Sequence, residues 1–194
     1  MRHFSSHPPF RQGFGRPRTR LRLALLAFGL FLAPGRTSAD LAAPPGYNVR
    51  LVREGEKGQR FWRGGAPRQD TLKALASAAR KRSVPLTLVD LRTPPTSDDR
   101  SGKEGRLSPE REAALAKELG LDYVPVSAMD RELVGKVRQA LDRGDVYMHC
   151  MYGVNRTGFA TARYARATGA HPDATGLGKR DWDQGDRFQK RLQR

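Results

Sequence analysis

DVYMHC (145–150) runs into MYGVNRTGFATARYARATG (151–169), and the junction of these two stretches decides the fold. The first is a short apolar and aromatic run, too brief for a helix, and reads as a buried strand. The second reads as a loop entering a helix at about Arg156, with Phe159, Ala160 and Tyr164 along it and Gly169 as its stop. A loop that leaves a strand and enters a helix turns backbone N–H groups inward. It also sets the positive end of the helix dipole on its hollow, which suits an anion such as a phosphate dianion. Gly153 permits a turn that a side chain would obstruct, and Arg156 offers a planar fork to two oxygens of such an anion. The same positive field would hold Cys150 as a thiolate, the nucleophilic form of the side chain. A Cys with an Arg six positions later says little by itself, because 28 of the 194 residues are Arg.

Upstream, strand patterns alternate with helical ones. VPLTLVDL (84–91) and LDYVPV (121–126) read as buried strands, and Phe61-Trp62-Arg63 before the GGAP turn reads as a shorter one. A further strand is predicted at Tyr47 to Val52. TLKALASAARKR (71–82) places Leu72, Leu75 and Ala79 at helical spacing. Ser108-Pro109-Glu110 starts a second helix, with a cap residue, a Pro at the first helical position and acids facing the dipole, and Gly120 ends it. Ser127 and Asp130 open a third, through Leu133, Val134, Val137 and Leu141 to Gly144, while residues 92–107 read as a polar loop. Strands alternating with helices indicate an α/β fold. The expectation is a central, mostly parallel sheet of four to five strands with helices on both faces, and a phosphate-binding loop between the last strand and the last helix.

The composition agrees with one such domain. One Cys cannot form an internal disulfide, which excludes a disulfide scaffold, a cysteine-based zinc site and dithiol redox chemistry. Six arginines between Arg2 and Arg22 precede LALLAFGLFLA (23–33), a break at Pro34-Gly35 and the small residues Thr37-Ser38-Ala39, the layout of a secretory signal peptide. Eleven apolar residues would span about 16 Å of helix, roughly half a bilayer core, so stable membrane insertion is not expected once the segment is cleaved. Cleavage after Ala39 would leave a periplasmic or secreted chain; the alternative is an uncleaved anchor. Residues 40–194 carry 29 basic against 20 acidic residues, a balance of +9. The order expected is a signal peptide at 1–39, an extended lead-in at 40–57, a catalytic domain at 58–170 and a basic tail at 171–194.

HCMYGVNRTG (149–158) resembles the signature of the cysteine-dependent protein tyrosine phosphatase superfamily, in its compact dual-specificity branch: HC, five residues, then R and S or T. FWRGGAP, VDLR (89–92) and YVPV occur in the same order as comparable segments of small bacterial members. GVNRTGF also resembles the branch that removes phosphates from RNA 5′ ends. By position, the resemblance implies Cys150 as nucleophile, Arg156 as phosphate clamp and Thr157 as a hydroxyl that stabilises the thiolate. His149 would orient the loop from behind, and Met151, Tyr152, Gly153, Val154 and Asn155 would line the anion site. The general acid of the family falls in the region of Asp130, which also reads as a helix-start acid near Ser127; Asp98 and Asp99 are the other candidates.

The activity implied is hydrolysis of phosphomonoesters through a phosphocysteine intermediate, with no metal and no other cofactor. Phosphotyrosine, phosphoserine or phosphothreonine in proteins, or small phosphoesters, are the substrates implied. Alternatives are a phosphoanhydride or RNA 5′-end phosphatase, and a phosphate-binding module without turnover. Nucleic acid is a less favoured partner, because few aromatic residues lie among the basic ones.

Overall fold

Strands and helices alternate through the part of the chain that the computed structural model describes, residues 48–55 and 57–169. The predicted signal peptide and basic tail lie outside these residues. In order come β1 (Arg50–Glu54), β2 (Arg60–Gly65), α1 (Gln69–Lys81), β3 (Leu86–Asp90), α2 (Ser97–Ser101) and a 3-10 turn (Lys103–Gly105). They are followed by α3 (Pro109–Glu118), β4 (Asp122–Pro125), α4 (Leu133–Arg143), β5 (Asp145–Cys150) and α5 (Asn155–Thr168). The sheet has the order β1-β2-β5-β3-β4, antiparallel only where β1 meets β2. This is the mostly parallel α/β sheet expected from the alternation of elements.

Both faces are covered, so β5, in the middle of the sheet, is buried along its whole length. Val146, Met148 and Cys150 pack with Val137 of α4 and Phe159 and Tyr164 of α5. Tyr147 faces the other way, toward Leu72 and Leu75 of α1 and Leu115 of α3. Full burial of a side chain such as Leu72 or Leu88 contributes about 1.5–3 kcal/mol. The parallel register pairs Gly65 with Cys150 and Asp90 with His149, which brings the carboxyl ends of β2, β5 and β3 level. Ligands of open α/β sheets bind outside that edge.

Three segments differ from expectation. Residues 92–107 are not a plain loop: they hold α2, capped by Thr96, whose hydroxyl accepts the Asp99 N–H while the Asp99 carboxylate accepts the Thr96 N–H. This reciprocal capping box satisfies two donors at once and allows a five-residue helix to form. Helix α4 begins at Leu133 rather than at Ser127. Ser127 Oγ accepts the Met129 N–H and the Asp130 carboxylate accepts the Glu132 N–H, so both side chains serve tight turns ahead of the helix. The strand expected at 47–52 runs over Arg50–Glu54 and forms the sheet edge, so the end of the lead-in is part of the domain. Among the described residues, no helix is long and apolar enough to cross a membrane.

Candidate active site

Residues 151–154 connect the end of β5 to α5 and lie against the end of β2. Gly153 has φ +66°, and a Cβ there would lie 2.5 Å from the Gly65 nitrogen, so both its conformation and its space demand glycine. Gly64 is constrained by a different contact, because a Cβ on it would strike the Tyr147 hydroxyl. The loop is tied down at successive carbonyls. Ala66 N–H donates to Met151 O (3.1 Å), Asn48 Nδ2 to Tyr152 O (2.9 Å) and the buried Arg63 Nη2 to Gly153 O (2.6 Å). Three loop carbonyls are thus held by Arg63 of β2, by Ala66 just beyond it and by Asn48 ahead of β1. No side chain caps the N-terminus of α5, which leaves the first-turn N–H groups of a 14-residue helix without a side-chain acceptor.

Cys150, Thr157 and Arg156 lie on or beside this loop, whereas His149 and Asp130 do not. Cys150 is buried, 3% exposed, and is the free cysteine of the chain. Thr157 is buried in the first turn of α5, its hydroxyl 3.4 Å from Gly64 O. Met151 is buried, Val154 half-buried, and Tyr152 and Asn155 are exposed. The Arg106 guanidinium lies over the Tyr152 ring, 5.2 Å from its centroid.

Arg156 directs its fork at the buried carboxylate of Asp99, Nη1 to Oδ2 at 3.0 Å and Nη2 to Oδ1 at 2.8 Å. Burial works against its positive charge, but Asp99 and, through space, Cys150 raise its pKa above the ordinary arginine value. Burial likewise opposes the charge on Asp99. The Arg156 guanidinium and the Thr96 N–H and hydroxyl outweigh it and hold the Asp99 carboxyl below the usual range.

His149 faces the opposite side of the sheet, fully buried. Its Nε2 lies 2.7 Å from Glu112 Oε1 of α3, without hydrogen-bond alignment, and its Nδ1 is 4.0 Å from Asp90 Oδ1. Arg92 joins the two acids, bonded to both Asp90 oxygens and to Glu112 Oε2, and Tyr123 donates to Asp90. Asp90, Glu112 and His149 offer ligand atoms within 4.8 Å of one another, the kind of cluster that can hold a metal ion. The guanidinium of Arg92 already supplies the cation that these two carboxylates require.

Asp130 stands in the turn before α4. Its carboxylate accepts from Lys136 Nζ (2.6 Å) and from the Glu132 N–H (2.8 Å), contacts that depress its pKa, and its backbone carbonyl accepts from Arg163 of α5. Asp98 is exposed and pairs with Lys103. Of the three acids considered as proton donors, Asp99 is the one bonded to Arg156. Arg63 and the glycines after it were given a strand and a turn but no part in the site. Their signal was the pair Gly64-Gly65 at the end of a strand, where side chains are absent because another backbone approaches.

No family model and no curated protein matches the chain. Solved structures do. A putative phosphatase (DUF442) from Shewanella putrefaciens CN-32 is 16% identical, over 75% of this chain and 87% of that one, with a TM-score of 0.47. The core catalytic domain of PP-IP phosphatase SIW14 from S. cerevisiae, in complex with citrate, is 18% identical over 76% of this chain and 78% of its own, at a TM-score of 0.47. TpbA of P. aeruginosa is 18% identical over 75% and 90%, at 0.42. The chain is similar to these in fold.

Proposed function

We propose that the protein is a metal-independent phosphatase that hydrolyses phosphomonoesters, of proteins or of small molecules, through a phosphocysteine intermediate. The observation that carries this is the convergence of Cys150, Arg156, Thr157 and the uncapped start of α5 on one loop whose carbonyls are already bonded. Loop N–H groups and Arg156 would hold three phosphate oxygens and stabilise the charge of the transition state. The Cys150 thiolate attacks phosphorus, an S–P bond forms and the P–O bond to the leaving group breaks. Water then attacks phosphorus, the S–P bond breaks, and inorganic phosphate and the thiolate are released.

The leaving oxygen takes a proton in the first step. Asp130 is the donor proposed on sequence position, and to serve it must leave Lys136. A second reading, hydrolysis of phosphoanhydrides, is favoured by one observation. Asp130 and Asp99 are both held with lowered pKa by basic partners, and a departing phosphate needs little protonation. Asp130→Asn separates the two readings. A loss of about 10²–10⁴ on phenyl or alkyl phosphates, shrinking for activated esters, supports the monoesterase; a small, uniform loss supports the anhydride reading.

The primary test is turnover of p-nitrophenyl phosphate in excess EDTA, with Cys150→Ser as control. Activity that survives the chelator and vanishes in the variant supports the proposal, and activity restored only by added Mg²⁺ or Zn²⁺ contradicts it. We also propose export, supported by the layout of residues 1–39. The product isolated from an exporting bacterium should begin at Asp40.

A further inference from the structure

We infer that the protein has a second ligand site, at the opposite edge of the sheet from Cys150, which takes a small organic anion with an apolar body. A cavity of about 520 Å³ lies there, among the hairpin between β1 and β2, the last turns of α4 and the end of α5. The hairpin leads into the start of β2 and α4 into the start of β5. The cavity therefore adjoins the amino ends of these parallel strands, whereas the loop at 151–154 follows the carboxyl end of β5. Helix α5, with 14 residues and a length of about 21 Å, reaches from that loop to the cavity. Nothing in this second site depends on the reaction at Cys150.

The polar groups of the cavity are mostly donors. Arg53 of β1, Lys57 of the hairpin and Arg138 of α4 stand on its wall, all exposed, and none forms an ion pair with a described residue. Against these three cations stands Asp142, the acid on the wall among the described residues. The end of a helix usually repels anions, because its last carbonyls are unpaired. Those of α5 are taken. Tyr164 O and Ala165 O accept the Thr168 hydroxyl (2.9 and 3.2 Å), Arg166 O accepts the Gly169 N–H (3.3 Å), and Ala167 O accepts Arg138 Nη2 (2.8 Å).

One donor lies deeper. Tyr164 is 3% exposed, with its ring edge-on to Phe61 at 5.0 Å, and it borders the cavity. Its hydroxyl has no hydrogen-bond partner among the described residues. A buried tyrosine hydroxyl usually finds a partner, and an acceptor on a ligand would supply one. Leu141, half-buried, adds apolar surface to the same wall. The hairpin is fixed by its own bonds: Gly55 N–H donates to Gln59 O (2.7 Å) and Lys57 N–H to Gln59 Oε1 (3.2 Å). The volume falls in the range of small-molecule sites. Exposed cations, an apolar flank and one inner donor match a carboxylate, sulfonate or phosphate carried on an aromatic or short aliphatic body.

The probe is 1-anilinonaphthalene-8-sulfonate, an aromatic body with one anionic group, titrated by its fluorescence into the full-length protein. One saturable site is expected. Arg53→Glu should weaken binding by at least about tenfold, and Tyr164→Phe, which removes the hydroxyl alone, by about five- to tenfold. Lys117→Glu, the same change of charge on α3, should leave it within about twofold. Absence of a saturable site, equal weakening by Arg53→Glu and Lys117→Glu, or displacement of the probe by an equal concentration of inorganic sulfate overturns the inference.

A second measurement needs no variant. In ¹H–¹⁵N spectra of the wild type, the probe should shift the amides of Gly55, Gln59 and Thr168 and leave those of Gly153 and Thr157 in place. Shifts centred on Gly153 and Thr157 would put the probe in the loop after β5. Shifts confined to residues 170–194 would put it on the tail. Either result overturns the inference whether or not the variants fold.

Discussion

His149 and Cys150 are neighbours on one strand, and the chain surrounds them with opposite chemistry. His149 faces α3 in a closed set of charges, Asp90, Arg92 and Glu112, all buried and joined to one another. Cys150 opens on a loop whose carbonyls are bonded to Asn48, Arg63 and Ala66 and whose helix has no side-chain cap. On the first side the polar groups pair with one another; on the second, no side chain caps the start of α5, which under the proposed function serves an anion. The difference assigns the first region to stability and the second to chemistry, and three experiments can break or sharpen that division.

The largest effect is expected on the His149 side. Arg92→Met leaves Asp90 and Glu112 as buried acids without their shared cation, at a cost of about 3–5 kcal/mol in unfolding free energy. Denaturant titration measures it, and activity per folded molecule should be nearly unchanged. A variant as stable as the wild type would show that the network is not structural. On the Cys150 side the currency is rate. Arg156→Lys keeps a positive charge but loses the fork, and kcat/KM should fall about 10²–10³-fold with little change in Tm. A loss of stability equal to that of Arg92→Met would erase the contrast.

The smallest effect is a pH dependence. Burial would raise the Asp90 carboxyl, but His149, Arg92 and Tyr123 lower it from 3.8 to about 2. A carboxyl whose pKa is depressed on folding contributes stability that is complete above the unfolded value and is lost as pH falls through the folded one. Unfolding free energy should therefore drop by about 2 kcal/mol on this account between pH 5 and pH 2, and Asp90→Asn should flatten the slope. An unchanged slope in that variant would place the acid sensitivity elsewhere.

The strand-loop-helix core was legible because its signals are local. DVYMHC is too short and apolar for a helix, Gly153 and Gly169 sit where φ is positive, and strand and helix periods alternate before it. The parallel sheet follows from that alternation. What escaped were features that depend on distant partners. Asp99 is one acid among several in a polar stretch, and only the folded chain brings it to Arg156, 57 positions away. Arg63 resembles any other arginine of an Arg-rich chain until Gly153 is laid over it. Thr96-x-x-Asp99 was readable as a capping box, and the density of Pro and Gly around it made the stretch read as a loop. Ser127 and Asp130 show the converse. Cap-type residues serve turns as readily as helices, so they placed the start of α4 several residues early.

The central claim is that Cys150 carries the phosphoryl group between two displacement steps. The most direct measurement is to mix the enzyme with substrate, quench in acid within the first turnover, and search its peptides by mass spectrometry for a phosphate adduct. The account predicts the adduct on the peptide that contains Cys150, formed and discharged at rates compatible with kcat, and absent from Cys150→Ser. Turnover without such an adduct, or an adduct on any other residue, would contradict it.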